Sequence, residues 1–273
     1  MDSEQNKEPG KEMTFWDHLE ELRGRILRSV LAIIVLGVAA FLNRHIIFDI
    51  IIMGPKEPDF ITNRVLCKLG QMVNIDYFCV SELKLQIINL TMAGQFMMHF
   101  YISIITGFIL SVPYIIWEFW RFLKPALHES EQQYARGAVF ITSALFLSGV
   151  LFSYFLLVPL SINFLGSYQI SESVLNQISL SSYINTVISL VIAVGVVFEM
   201  PVFIYFLAKV GVVTPAFLRA YRRYIIVVII VIAAIITPPD VFSQIMVSVP
   251  LLLLYELSIL VADRVHRKKA MSN

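Results

Sequence analysis

Adjacent carboxylates and arginines stand at the start of the first apolar stretch of this chain. Residues 18–26 read HLEELRGRI, and a nearly unbroken apolar run follows. Glu21 and Arg25 are four residues apart, so both lie on one face of a predicted amphipathic helix at the membrane interface. Glu21 and Arg25 either form a solvated ion pair, or a carboxylate on this face accepts a cationic partner. The second alternative is a stronger contact than in bulk water, because charges at the edge of a bilayer are less screened.

A second acidic group follows the second apolar stretch, in PYIIWEFWRFLKPALHESEQQYAR from Pro113 to Arg136. The tryptophans of this segment are typical of a membrane interface, and Lys124-Pro125 predicts the end of the helix. Glu129 and Glu131 come next, in a short predicted loop. They are either ordinary solvated side chains or part of the same acidic site as the HLEELR segment.

Glu199 is the most informative single residue, because it lies inside the apolar stretch VIAVGVVFEMPVFIYFLAKV. A carboxylate there is costly unless it is protonated, hydrated or paired, and such a residue is by default functional. The structural alternative is a protonated acid that forms a hydrogen bond within the bundle. Pro201 removes a backbone hydrogen bond, which predicts a kink beside Glu199.

The segment ITPPDVFSQ places polar side chains between the last two apolar stretches. Its consecutive prolines predict a sharp reversal of the chain. Thr237, Asp240 and Gln244 are then either the polar tip of an ordinary hairpin or polar contacts for another membrane helix.

The composition is that of a polytopic membrane protein. Of the 273 residues, 58% are hydrophobic and 15% are charged, and the mean hydropathy is +0.75. A soluble domain would carry about a quarter charged residues. The sequence has no basic stripe of the kind that would indicate nucleic-acid binding. It also has no hydrolase, zinc-protease or phosphate-loop motif. We therefore expect neither an enzyme nor a cofactor or metal site.

Six apolar spans predict an all-α membrane domain over residues 14–264, between a disordered tail of residues 1–13 and a tail of residues 265–273. A helix needs about 20 residues to cross a bilayer, and the last two spans are shorter. They are either two short helices across a locally thinned bilayer or a re-entrant hairpin. The spans cover roughly residues 26–42, 96–116, 138–160, 187–207, 225–236 and 245–261.

The basic residues determine the sidedness of these spans. Sixteen of the 21 Lys and Arg residues lie on the side that holds both termini, which the positive-inside rule assigns to the cytoplasm. The outer loops then cover about residues 43–95 and 161–182. The first contains both cysteines of the chain, Cys67 and Cys79, which form either a disulfide or two unpaired thiols.

Four stretches taken together resemble the TatC family, the multi-span subunits of the twin-arginine protein translocase. HLEELRGRI, WRFLKPALHESE, FEMP and TPPDVFSQ occur in the family's order and on matching helices and loops, over about residues 14–264. The resemblance implies a cupped bundle of six transmembrane helices in the bacterial cytoplasmic (inner) membrane. It also favours two short final helices over the re-entrant hairpin.

The resemblance implies a receptor that recognises the Arg-Arg motif of signal peptides on folded substrates. Such a receptor recruits TatA- and TatB-type single-span membrane proteins, uses the proton-motive force, and forms a homo-oligomer within the receptor complex. Glu199 matches the family's intramembrane acid, and Glu129 could share the role of Glu131. The positions implied for signal-peptide binding are Glu21, Arg23, Phe122, Pro125 and Glu131, and those implied for partner-helix contact are Thr237, Asp240 and Gln244.

The outer part of the chain departs from the family pattern. The first outer loop is longer, and NLTMAGQFMMHF lacks the familiar Pro and Lys. A rival function is a proton-coupled small-solute transporter with Glu199 as proton carrier, although such transporters often have two related halves and no internal repeat is evident. A structural scaffold for other helices would leave Glu21 and Glu199 unexplained.

Overall fold

The structure, a computed structural model, describes residues 15–72, 86–123, 135–171, 176–237 and 241–272. The described residues are overwhelmingly helical, as the apolar spans predict. In chain order the elements are α1 (Phe15–Leu42), a π-helix (His45–Ile52), a 3-10 turn (Gly54–Lys56), α2 (Ile61–Met72), β1 (Ile87–Ile88), α3 (Gly94–Leu123), α4 (Ala135–Phe152), a second π-helix (Ser153–Leu157), α5 (Val158–Ser167), β2 (Ile178–Ser179), α6 (Leu180–Val197), α7 (Met200–Val210), α8 (Pro215–Ile236) and α9 (Val241–Ser272).

Helix α1 joins the charged HLEELR segment and the first apolar span in one uninterrupted helix. No proline lies between Phe15 and Leu42, so nothing in the sequence ends the helix at the membrane interface. The predicted interfacial helix is therefore the first part of the first membrane helix. Because the helix is continuous, the charged residues of HLEELR keep fixed positions around the helix axis relative to the apolar residues that follow.

Helices α1 and α3 cross at two glycines. A Cβ atom built on Gly107 would lie 2.5 Å from the backbone nitrogen of Gly37 and 2.6 Å from the backbone oxygen of Ile33. The absence of a side chain at this point lets the two backbones touch, as small residues do at interfaces between membrane helices. This contact aligns the two helices that carry the acidic residues near the cytoplasmic surface.

We expect Gly107→Ala to separate α1 from α3, because backbone atoms cannot move aside as a flexible side chain can. The expected loss of stability is about 1–3 kcal/mol, the usual effect of overpacking. Thermal unfolding in detergent measures it. Gly137→Ala is the matched control, since a Cβ on that helical glycine meets nothing within 4 Å. Equal melting temperatures for the two variants would show that the crossing tolerates a wider spacing.

The third and fourth spans are longer than their apolar runs suggest, and neither is a simple α-helix. Helices α4 and α5 continue into one another through the second π-helix, and Val158, Leu160 and Ile162 of α5 are buried. The helical chain thus runs to Ser167, into the predicted second outer loop, because this part packs against protein. The fourth span is interrupted between α6 and α7, which confirms the predicted kink.

Helices α8 and α9 pack as an antiparallel pair. Tyr255 donates a hydrogen bond to the backbone oxygen of Leu218 (2.8 Å), and Gln244 donates to the backbone oxygen of Ile230 (3.3 Å). Residues later in α9 thus meet residues earlier in α8, as in a helical hairpin. Helix α8 has 22 residues and α9 has 32, so each helix is longer than the apolar span predicted within it.

Five helical segments of the described residues have the length and hydropathy to cross a bilayer. The fifth predicted span, residues 225–236, lies in α8, whose first nine residues carry three arginines, so that its apolar part is as short as the sequence indicates. The five segments are His18–Leu42, Gly94–Leu123, Gly137–Ser167, Leu180–Val210 and Ser243–Arg267.

The first outer segment is structured, although the sequence predicts a loop there. The first π-helix packs on the bundle, because Tyr154 and Tyr183 donate hydrogen bonds to the backbone oxygens of Ile51 (2.8 Å) and Ile52 (2.7 Å). Strands β1 and β2 pair in parallel and connect the two outer segments. Cys67 lies in α2 and is disulfide-bonded, which excludes the alternative of an unpaired thiol there, and Cys79, the other cysteine of the chain, lies outside the described residues.

Candidate functional site

Arg25 stands between two carboxylates at the cytoplasmic end of α1 and α3. Its Nη2 lies 2.6 Å from Oε1 of Glu21, one turn earlier on α1, and its Nη1 lies 2.8 Å from Oε2 of Glu118 on α3. Tyr114 donates a hydrogen bond to the other oxygen of Glu118, at 2.9 Å. The predicted i, i+4 pair is confirmed, and it is half of a larger network.

The two carboxylates of this network differ in exposure. The side chain of Glu118 is 2% exposed, that of Arg25 is 13% exposed, and that of Glu21 is 24% exposed. Glu118 therefore needs the guanidinium, because a buried charge without a partner is costly. Glu21 is partly exposed and shares the same guanidinium, and Arg28 also acts electrostatically on Glu118.

Aromatic side chains neighbour this network along α1 and α3. The ring of His18 stacks on Phe122 with centroids 4.2 Å apart, and the guanidinium of Arg121 lies 4.7 Å from the ring centroid of Trp117. Trp120 is buried, with its ring 5.1 Å from that of Phe206 on α7. The side chain of Glu118 is itself buried, and charge–charge interactions in a protein interior are stronger than in water.

Helix α3 ends at Leu123, directly before the Lys124-Pro125 pair that predicted its end. Of the residues predicted for signal-peptide binding, Glu21, Arg23 and Phe122 are described, and Arg23 is exposed on α1. Glu129, Glu131 and Pro125 lie outside the described residues. Their place relative to Glu21 stays a prediction.

Sequence reasoning missed the role of Glu118. The available signal was a glutamate among aromatic residues at a depth where contact with lipid is costly. Its partner Arg25 is 93 residues away in the chain, so the pairing depends on which helices pack together.

Glu199 lies at the break between α6 and α7 and is 9% exposed. No hydrogen bond of ordinary geometry reaches either oxygen of its carboxyl group among the described residues, although the backbone of Phe146 on α4 interacts with this group. Phe198, the preceding residue, stacks on Phe152 of α4 with centroids 5.6 Å apart, which holds the break against that helix. The buried hydroxyl groups of Thr142 and Ser143 on α4 also lack a partner within the described part of the chain. A buried carboxyl group in such a position is costly unless it is protonated, hydrated or paired, and the functional role of Glu199 stays a prediction.

Thr237 and Gln244 lie at the facing ends of α8 and α9. Thr237 is 6% exposed and donates a hydrogen bond to the backbone oxygen of Ala233 in its own helix (2.8 Å). Gln244 uses its amide across the hairpin, as described above, and Ile245 beside it is 56% exposed. Asp240 lies outside the described residues. The two described side chains contribute to the hairpin itself, and their contact with another helix stays a prediction.

The described residues contain no group of three or more His, Cys, Asp or Glu side chains arranged to hold a metal ion. The described groups at the cytoplasmic ends of α1 and α3 are carboxylates, arginines and aromatic rings. Carboxylates and aromatic rings are groups with which a guanidinium can form ion pairs and stack.

The fold and these groups define an all-α, multi-pass membrane protein with acidic groups at its cytoplasmic surface and a buried acid within its helices. A family model described as "Sec-independent protein translocase protein (TatC)" matches residues 17–250. The chain belongs to this family. Its membrane helices and this membership place it in the bacterial inner membrane, as a component of protein transport.

Similar proteins cover nearly the whole chain. A Sec-independent protein translocase protein TatC from Blattabacterium sp. subsp. Periplaneta americana (strain BPLAN) is 40% identical over 267 residues, which are 96% of this chain and 100% of the relative. The TatC protein of Aquifex aeolicus (strain VF5) is 35% identical over 94% of this chain and 98% of its own length. A crystal structure of the twin-arginine translocase receptor TatC superposes with a TM-score of 0.69 at 34% identity, covering 91% of this chain and 99% of that one.

Proposed function

We propose that this chain is the receptor and core subunit of a twin-arginine protein translocase. It binds the Arg-Arg motif of signal peptides at the cytoplasmic ends of α1 and α3. It recruits TatA- and TatB-type single-span subunits and serves the export of folded proteins driven by the proton-motive force. The family membership supports the translocase role, and the charged network around Arg25 supports the binding mode.

The observation that carries the binding mode is the unequal exposure of Glu21 and Glu118. Both carboxylates contact Arg25, but the buried Glu118 retains the guanidinium and Glu21 faces solvent. An incoming guanidinium can therefore bind Glu21 without removing the charge that Glu118 needs. Arginine is suited to this contact because its planar fork pairs with a carboxylate through two hydrogen bonds, and lysine lacks that geometry.

We assign the step of export that uses the proton-motive force to Glu199 and to partner subunits. The carboxyl group of Glu199 is buried and has no hydrogen bond of ordinary geometry within the described residues, and it lies too deep to contact the Arg-Arg motif. We propose that it acts after signal-peptide binding, when single-span subunits assemble beside α8 and α9. The exposed apolar side chains of those helices, such as Val231, Ile235 and Leu253, provide a surface for another membrane helix.

Crosslinking of a twin-arginine signal peptide to the protein in membranes tests the proposed contact. We expect an Arg-Arg peptide to crosslink to the wild type, and a Lys-Lys peptide to crosslink about tenfold less, because a buried or partly buried charged contact is worth about 1.5–3 kcal/mol. Glu21→Ala combined with Glu131→Ala is expected to lose the difference between the two peptides.

Glu20→Ala is the matched control, because Glu20 is the exposed neighbour of Glu21 and carries the same charge. It is expected to preserve discrimination between the peptides. Equal crosslinking of both peptides to the wild type and to every variant would contradict the receptor role. The alternative of a proton-coupled small-solute transporter would then be the better explanation of Glu199.

A further inference from the structure

The basic residues of the outer side are concentrated in one segment. All five outer Lys and Arg residues precede α3, although basic residues are disfavoured on that side of the membrane. Helix α2, with the sequence ITNRVLCKLGQM, carries Arg64 and Lys68 and no acidic residue. The position of α2 relative to the membrane helices shows what these charges face.

Helix α2 is attached to a part of the bundle that lies within the membrane. The hydroxyl group of Thr62 donates a hydrogen bond to the backbone oxygen of Phe155. The ring of Phe60 lies 5.7 Å from that of Tyr154 and 5.8 Å from that of Phe155. Phe155 belongs to the apolar membrane segment Gly137–Ser167 and lies about 18 Å before its outer end, at 1.5 Å per residue. The first turn of α2 is therefore at the depth of the outer leaflet.

The sides of α2 differ in character. Thr62 and Asn63 are buried against the bundle, and Asn163 of α5 donates a hydrogen bond to the side-chain oxygen of Asn63 (3.0 Å). On the opposite side, Ile61, Val65 and Met72 are 63%, 50% and 81% exposed. At 100° per residue these three side chains lie within about 40° of one another around the helix axis and form an apolar stripe. Arg64 and Lys68 lie next to this stripe, on one side of it.

We infer that α2 is an interfacial helix embedded in the outer leaflet, and that Arg64 and Lys68 bind the phosphate groups of anionic phospholipids. An apolar stripe beside a basic flank is the pattern of helices that lie in the plane of a membrane surface. The aliphatic part of a lysine or arginine side chain stays with the acyl chains, and the charged end reaches the phosphate level. This inference does not depend on the receptor role.

Among the described residues, the acidic neighbour of the basic flank of α2 is Asp59, and it holds Arg64 only loosely. Arg64 donates from Nε to the backbone oxygen of Asp59 (2.6 Å), and its Nε lies 3.9 Å from the Asp59 carboxylate. The Asp59 side chain is 95% exposed and that of Arg64 is 63% exposed, so this is a solvated, loose pair. The groove along this flank is lined by Pro58, Asn63, Arg64, Cys67, Lys68 and Gln71.

Lipid binding to the intact purified protein tests the charged contact. Native mass spectrometry compares phosphatidylglycerol with phosphatidylcholine of the same acyl chains. Relative to wild type, Arg64→Gln with Lys68→Gln is expected to lower the preference for phosphatidylglycerol on the order of tenfold, since each basic residue at a membrane surface contributes measurably to anionic-lipid binding. Arg44→Gln with Lys56→Gln removes the same charge from the same side and is expected to keep the wild-type preference. An equal preference in both double variants would overturn the inference.

Fluorescence quenching tests the depth of α2 independently of charge. Val65→Trp and Asp59→Trp are each introduced into protein whose three native tryptophans are replaced by Phe, and the variants are reconstituted in vesicles with acyl-chain-brominated phosphatidylcholine. Emission from Val65→Trp is expected to be quenched severalfold more than emission from Asp59→Trp, because bromine quenches only at short range. Equal quenching would show that α2 lies in water above the bilayer and would refute its embedding.

Discussion

Arg25→Ala is expected to destabilise the protein by about 3–5 kcal/mol, the usual cost of leaving a buried ion-pair partner without its counter-charge. The reason is the burial of Glu118, whose Oε2 loses its contact at 2.8 Å to the guanidinium. Tyr114 still donates to the other oxygen, but a single neutral donor does not replace a positive charge. Thermal unfolding of purified protein in detergent measures the loss.

The matching change on α3 separates this effect from a general loss of packing. In Glu118→Gln the buried charge is absent, so Arg25→Ala added to Glu118→Gln is expected to cost much less than Arg25→Ala in the wild type. A double-mutant cycle of these variants gives the coupling directly. Arg23→Ala, which removes an exposed arginine of the same helix, is expected to change stability by less than about 0.5 kcal/mol. Additive costs for the two changes at 25 and 118 would show that the pair is not energetically coupled.

Glu199→Ala is expected to reduce export of a folded twin-arginine reporter by tenfold or more, on the order expected for loss of a functional acid within a membrane helix. Signal-peptide crosslinking is expected to remain near the wild-type level, because Glu199 lies at the break between α6 and α7, deep within a membrane-crossing segment. The two assays on the same membranes therefore separate transport from recognition.

Glu199→Gln tests whether the side chain at this position must be able to ionise. The amide keeps the size and hydrogen-bonding capacity of the acid but cannot ionise, so export by this variant is expected to be as low as in Glu199→Ala. Glu256→Gln is the matched control, since Glu256 is 43% exposed and paired with Arg222 at 2.5 Å. It is expected to export the reporter normally. Wild-type export by Glu199→Ala would contradict a functional role of the buried acid.

The sequence alone determined the class of protein, its sidedness and the break in the fourth span. These features follow from local rules. A bilayer sets the length of an apolar run, the distribution of basic residues sets orientation, and Pro201 cannot complete the helical hydrogen bonding beside Glu199. The four stretches resembling the TatC family, such as FEMP and TPPDVFSQ, also needed no structure, and the family comparison confirms their interpretation.

Only the tertiary structure decided which charges pair across the chain and how the outer segment folds. Arg25 meets Glu118 because two glycines, Gly37 and Gly107, let α1 and α3 touch, and this contact joins residues 93 positions apart. Periodicity in the sequence reports which face of a helix is apolar, not which helix lies against it. The same limit explains why the predicted outer loop is a set of helices packed on the bundle. Its hydrogen bonds, such as that from Tyr183 to Ile52, join residues far apart in the sequence.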